Sequence, residues 1–377
     1  MSEHSILPPS GSEAWSKCPL WVSINQLYPQ ADTIETIEGE AAHWVLKQLL
    51  SGFTINLNDE TPQGVFVTAE MLQGAELVKT HLLDKGFDTK KLYVEQRIDC
   101  SSINSICWGT PDIFHFDHAR NVIDVIDYKF GHRFVEEYQN TQCVIYAEGI
   151  LQKFAKMFDE PAGLFDQKVK INITIIQPRC FYKGSPIRTW SFKASDLRPL
   201  ITILRAAAEN ALLPNPKAVP GEYCRDCPGR INGCSAIQHD AYVSASLARV
   251  SVPINLSIEA ASLEHKMLSE ALSLLKARVD GLETMITARL KGGDKAPFHH
   301  LVSEPGRLTW NKPIDEILAL GRCFDVDLSK LETITPTQAK KLLGENGIVV
   351  DAYSERKLGS VKLEIDNPDN ISKIFGE

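Results

Sequence analysis

The chain has 377 residues, 44 % of them hydrophobic, enough to fill one large domain and a smaller one and to exclude a disordered or fibrous class. Its 40 Lys and Arg against 48 Asp and Glu leave it acidic, which argues against coating duplex DNA by bulk charge but not against a local basic groove. No run approaches the roughly 18 apolar residues of a bilayer span, and the opening MSEHSILPPSGSE has no basic-then-apolar signal. A cytoplasmic location without a membrane partner is therefore expected.

In chain order, EAWSKCPLWVSINQL (13–27) has helical spacing, with Ser12 as a candidate cap. EGEAAHWVLKQLLSG (38–52) predicts a helix ended by Gly52, with His43 near its start, and TAEMLQGAELVKTHLLDKG (68–86) predicts another. Then the period turns extended. KLYVEQRID (91–99), ICWGTPDIFHFD (106–117) and NVIDVIDYKF (121–130) predict a three-strand meander with a turn at DHARN. A long helix follows over 135–158, a strand over KVKINITIIQPRC (168–180), and a helix at DLRPLITILRAAAENALL before a cysteine cluster at 224–234. Strands, a helix and a further strand predict an α/β fold: a mixed sheet flanked by helices, with a crossover.

The composition shifts near VSVPINLS (251–257), so the expected organisation is a domain over 1–245 and a smaller, mainly helical or α+β extension over 246–377. In the extension, Leu268, Leu272, Leu275, Val279, Leu282 and Ile286 alternate steps of four and three. The expectation for this short seam is a helix packed on its own domain; it permits a homodimer without requiring one. RLTWNKPIDEILALG and TPTQAKKLLGENG predict a strand and short helices, with Pro336 at a first helical position.

The hairpin carries the chemistry. Asp112, Asp127 and Lys129 stand among Ile, Val, Phe and Tyr, where a charge costs several kcal/mol unless paired. Strand alternation puts Asp127 and Lys129 on one face, and the turn brings Asp112 back toward them. Two carboxylates beside a lysine suit a hard cation such as Mg²⁺, and a metal-bound water there is placed to attack a phosphodiester.

Pro111-Asp112 followed by Asp127-Tyr128-Lys129 resembles the signature of the PD-(D/E)XK nuclease superfamily. Gln142 and Tyr146, four apart on the next helix, resemble the Gln-x-x-x-Tyr motif of its RecB-like branch. Gly39-Glu40-Ala41-Ala42-His43 is similar to that branch's first motif, and Glu95 to the acidic residue of its first core strand. The resemblance implies a restriction-endonuclease-like fold and a metal-dependent deoxyribonuclease, acting on DNA ends or single strands. It implies His43, Asp112, Asp127 and the Tyr128 carbonyl as ligands of Mg²⁺ or Mn²⁺. Lys129 would orient or activate the water, Glu95 would belong to the catalytic set, and Gln142 and Tyr146 would position the substrate strand.

Cys224-Arg-Asp-Cys227 with Cys234 close behind brings three thiolates into a short loop, a pattern that points to a metal. His239 would complete a Cys₃His zinc site. The resemblance offers another fourth ligand. Some RecB-like nucleases, among them AddB-type helicase-nucleases and CRISPR-associated exonucleases, bind a [4Fe–4S] cluster through one cysteine before the core and three after it. Cys18, in Ser-Lys-Cys-Pro-Leu-Trp, matches the first of these. A [4Fe–4S] cluster is the expectation, with Zn²⁺ the alternative, and either would staple the N-terminal segment to the end of the core. Cys100, Cys107, Cys143, Cys180 and Cys323 are expected as free thiols.

The motifs run from Cys18 to Cys234, and the whole arrangement resembles a phage and prophage family of unassigned function grouped with the RecB-like nucleases. A phage context implies recombination, replication or DNA processing, with DNA and proteins of those systems as partners. Two other functions remain open: a non-catalytic nucleic-acid-binding or assembly module that keeps the fold, and an RNA-directed or regulatory protein built on a zinc site.

Overall fold

The structure, a computed structural model, describes residues 5–29, 33–181, 185–247, 256–328 and 336–365. The chain divides into two compact units, Met1–Arg278 and Val279–Glu377, while the composition shift at 251–257 falls mostly outside the described residues.

The first predicted helix is two helices, α1 (Ser12–Lys17) and α2 (Leu20–Leu27). Pro19 disfavours helical backbone at the residue before it, and Cys18 is extended, with φ −122° and ψ 96°. Helix α3 (Ile34–Leu50) starts four residues earlier than expected because Thr33 caps it, accepting from the Thr36 N–H. Helix α4 (Ala69–Asp84) is capped by Thr68 in the same way.

The meander is more broken than predicted. The 91–99 run gives β1 (Tyr93–Val94) and β2 (Ile98–Asp99), because Glu95 has a left-handed φ of +46° between them. The 106–117 run gives β3 (Trp108–Gly109) and β4 (Ile113–Asp117), separated around Pro111. Strand β5 (Val122–Tyr128) holds, followed by α5 (Thr141–Met157). That helix starts later than predicted: Gln139 has φ +52° and the Asn140 side chain caps the Cys143 N–H. Beyond it lie α6 (Ala162–Lys168), β6 (Lys170–Ile176), β7 (Ile187–Lys193), α7 (Arg198–Ala211) and α8 (Ser235–Leu247). The expected elements did not include α6, β7 and α8.

The main sheet has order β1-β4-β5-β6-β7, antiparallel except for the parallel β5·β6 pair bridged by α5 and α6; β2 and β3 form a separate ribbon. This is the mixed sheet flanked by helices that the sequence predicts. One face packs Phe114, Ile123, Val125, Ile171, Ile173 and Ile175 in a core that includes residues of α1, α5 and α7. The other packs Ile113, Ile126, Tyr128 and Ile176 against α3 and α4. Both central strands are thus covered, which is why their sequences read as near-continuous apolar runs.

Helix α9 (Ile258–Lys291) runs from the first unit into the second. Within the first unit it packs through Leu274 and Ala277 on Tyr223, Cys224, Cys234 and Ile237, residues outside the extension it was expected to pack on, and no residue of the predicted seam belongs to that cluster. The second unit continues with β8 (His299–Trp310), α10 (Ile314–Cys323), α11 (Pro336–Leu343) and β9 (Ser354–Ile365). Strands β8 and β9 pair antiparallel, and Ile317, Leu328, Ala339, Leu343 and Val350 form a small core. Among the described residues no helix is long and apolar enough to cross a membrane.

Candidate functional site

Register sets the site. Ile113 pairs with Ile126 across β4 and β5, so Asp112 and Asp127 follow at the same level where the two strands end. Asp112 Oδ2 accepts the Tyr128 N–H at 2.7 Å, and its Oδ1 lies 3.2 Å from His43 Nδ1 on α3. Lys129 Nζ lies 3.1 Å from Asp127 Oδ2 and donates to Gln142 Oε1 at 3.1 Å. Gln142 Nε2 in turn donates to Asp127 Oδ1 at 3.3 Å. His43, Asp112, Asp127, Lys129 and Gln142 are therefore brought together.

The electrostatics follow from burial. Desolvation lowers the pKa of His43, but Asp112 outweighs it and the net shift is upward. Asp112 moves the other way: burial raises it, His43 and Lys129 outweigh that, and it stays below the carboxylate range. Asp127, only 2 % exposed, is pushed up by burial and by repulsion from Asp112, against the opposing pull of Lys129. Lys129 is held as an ammonium because both carboxylates outweigh its desolvation. Asp127 Oδ2 is a buried oxygen with no aligned hydrogen bond despite the nearby ammonium.

These donors fit a hard divalent cation in kind: carboxylate oxygens, one of them orphaned, and an imidazole. The arrangement is a paired one, with His43 and Asp112 bonded to each other. Among the described residues no group of three or more His, Cys, Asp or Glu forms a ready-made coordination sphere.

Glu95 follows β1 and donates its N–H to the Asp112 carbonyl at 2.8 Å, while its carboxylate pairs with Lys47 at 2.6 Å. Its partner is thus neither Gln96, which accepts from Lys153, nor Arg97, whose guanidinium lies over Trp108. Lys47 was not singled out from the sequence; its spacing of four from His43, which gives the two a shared helix face, was the available signal. Tyr146 is 5 % exposed, lies one turn along α5 from Gln142, and its ring lies where a Cβ on Gly109 would clash.

Residues with no motif hold this constellation. Gln177, fully buried, donates to the Gly131 and Arg133 carbonyls and accepts from the Val135 N–H and Arg188, pinning the loop between Lys129 and α5. Arg179 pairs with Glu38 of α3 and Glu70 of α4 and lies over Phe130. Buried Glu148 is paired by Arg198, which also reaches Asp166 at 3.2 Å.

The model of the family described as protein of unknown function (DUF2800) matches residues 4–362. The chain belongs to this family. Among curated proteins nothing matches it. Solved structures similar to this chain include two exonucleases by name. One, named "Putative exonuclease" from Eubacterium rectale, is 10 % identical, covers 67 % of this chain and 91 % of its own, and has a TM-score of 0.32. The other, a phage-related exonuclease from Haemophilus somnus, is 14 % identical, covers 55 % and 94 %, and has a TM-score of 0.22. Likeness at that level carries no argument about chemistry, which rests on the residues themselves.

A second group of donors in this DUF2800 chain lies in loops. Cys18, Cys224, Cys227 and Cys234 line one cavity of about 380 Å³, counted with its open mouth. Leu20, Trp21 and Ile24 of α2 and Ile237 of α8 supply apolar walls. Backbone N–H groups point at three sulfurs: Val219 to Cys18 at 3.4 Å, Gly221 to Cys224 at 3.3 Å and Gly229 to Cys227 at 3.4 Å. A Cβ on Gly229 would meet Cys234 Cβ at 3.3 Å and Cys227 Sγ at 3.4 Å, so a larger residue there would press on both by a few tenths of an ångström. Burial pushes the Cys224 and Cys227 thiols up to about 11, and Cys18 is raised by the same cause. His239 stands exposed on α8 and does not line the cavity. Four thiols with N–H donors aimed at sulfur are the donor chemistry of a thiolate-bound centre. Of the other cysteines, Cys100, Cys107, Cys143 and Cys180 are buried thiols and Cys323 is exposed.

Proposed function

We propose that this chain is a Mg²⁺- or Mn²⁺-dependent deoxyribonuclease that hydrolyses phosphodiester bonds from DNA ends or on single strands, in phage-type recombination, replication or DNA processing. The observation that carries the reading is the Asp112, Asp127 and Lys129 group at the end of β4 and β5, with one carboxylate oxygen buried and unbonded. Burying such a group is costly for stability and has no packing return.

His43, Asp112, Asp127 and the Tyr128 carbonyl would hold the cation, which when bound supplies an activated water and charge stabilisation at phosphate. Lys129, beside Asp127 and bonded to Gln142, would orient or activate the water or stabilise the scissile phosphate. Gln142 fixes Lys129 and Asp127 relative to each other through both ends of its amide. Tyr146, buried one turn along the same face of α5, backs Gln142, so the pair would act on the substrate by setting the catalytic groups. Glu95, paired to Lys47, stands beside Asp112 at the rim. The thiol cavity would hold a [4Fe–4S] cluster, with Zn²⁺ as the alternative. Its role is to staple the Cys18 segment to the end of the core.

The test uses anaerobically purified protein with Mn²⁺ on end-labelled single-stranded, linear duplex and closed circular DNA, beside Asp127→Asn. Metal-dependent loss of linear or single-stranded DNA in the wild type alone supports the reading. DNA binding without turnover, indifferent to Asp127→Asn, moves the assignment to a binding module.

A further inference from the structure

Helix α9 carries two apolar stripes. Along it, Leu272, Val279 and Ile286 take heptad position a, and Leu268, Leu275 and Leu282 take position d. In this register Leu274 and Ala277 fall at c and f, on the opposite side, and these pack with Tyr223, Cys224, Cys234 and Ile237 at the thiol cluster. The helix is therefore anchored by one stripe, while on the other Leu268, Leu272 and Val279 are 61 %, 66 % and 50 % exposed and Leu275, Leu282 and Ile286 are half-buried. Scattered exposed leucines are ordinary; a row of them at heptad spacing on one helix is not.

We propose that the seam pairs with the same seam of a second copy of this chain, as a parallel two-stranded coiled coil. Position d is leucine throughout, and two of the three a positions are the β-branched Val279 and Ile286, the combination that favours two parallel strands. The flanking charges agree. Arg278 at g faces Glu283 at e of the second copy, and two-fold symmetry makes the pair twice. The other such contacts, Glu264 with Ser269, Ala271 with Lys276 and Met285 with Leu290, bring no like charges together. Because the anchored stripe lies opposite the seam, the second copy docks without displacing Leu274 or Ala277 from the thiol cluster. The inference does not depend on the nuclease reading.

Sedimentation equilibrium of the full chain with its metal centre intact tests it. The wild type is expected as a dimer at micromolar concentration, and Leu272→Lys with Val279→Lys as a folded monomer. Arg278→Glu is expected to raise the dissociation constant at least tenfold, and adding Glu283→Arg to restore it, which a folding defect would not do. Orientation is read from Leu275→Cys in a Cys323→Ser background: under oxidised glutathione the two introduced thiols form an interchain disulfide only if the strands are parallel. A monomeric wild type, or a dimer indifferent to the charge swap, overturns the proposal. A dimer in which that disulfide does not form overturns the parallel arrangement.

Discussion

At the carboxylate site His43, Asp127 and Gln142 come from α3, the end of β5 and the first turn of α5, and Asp112 and Lys129 stand one residue outside β4 and β5, on a sheet locked by cores on both faces. At the thiol site none of the four sulfurs lies inside a strand or an α-helix: Cys18 sits in the break between α1 and α2, and the others in short 3₁₀ turns and loops. The first site pairs its own charges, so its scaffold stands without a cation. The second has no cross-link of its own and holds two segments some two hundred residues apart in sequence. On the proposed reading, a bound centre would be an addition to the first and a structural member of the second.

The largest effect that would sharpen this contrast is at the thiol site. Cys18→Ser is expected to abolish iron or zinc binding and to lower the Tm by roughly 10 °C or more, since structural metal centres contribute on the order of 10 kcal/mol. Metal content together with a thermal melt checks it, and an unchanged melt would break the comparison. Asp127→Asn should do the reverse, cutting DNA cleavage on the order of 10³-fold. Its Tm should hold or rise, because the substitution removes a carboxylate whose charge burial disfavours. Lys129→Met is expected to lose about 10²-fold in kcat, and a melt run beside the assay separates catalysis from folding. Gln142→Ala should lose roughly 10-fold in kcat with little change in KM, as expected of a residue that aligns two others.

The smallest effect is a pH signature on the sheet. Burial raises the Asp124 pKa in the folded chain, against a hydrogen bond from Asn172. A carboxyl raised above its unfolded value favours the fold while protonated, and that contribution is lost as pH rises from the unfolded value through the folded one. Asp124→Asn should therefore gain Tm relative to wild type more at pH 7 than at pH 4. An equal difference at both pH values would show that Asp124 titrates as if unfolded.

Much of the carboxylate site was legible in sequence because its determinants are local. Alternation placed Asp127 with Lys129, a short turn returned Asp112, and a spacing of four put Gln142 over Tyr146 on one helix. The breaks at Glu95 and Pro111 were harder, since a left-handed residue inside a β-rich run shows no compositional signal. Gln177 and Arg179 were invisible as parts of the site, because their partners lie on loops and helices distant in the chain.

By itself the sequence determined the mixed sheet, the order of its main elements, and which residues carry carboxylate, imidazole and thiol chemistry, because periodicity and side-chain chemistry act over a few residues. Only the tertiary structure decided that Cys18 joins the three later thiols while His239 does not, and that Glu95 answers to Lys47. It also decided that α9 anchors through Leu274 and Ala277 while Leu268, Leu272 and Val279 of its seam stay exposed. Each of these is a choice among partners far apart in sequence, settled by which surfaces the folded core brings within reach.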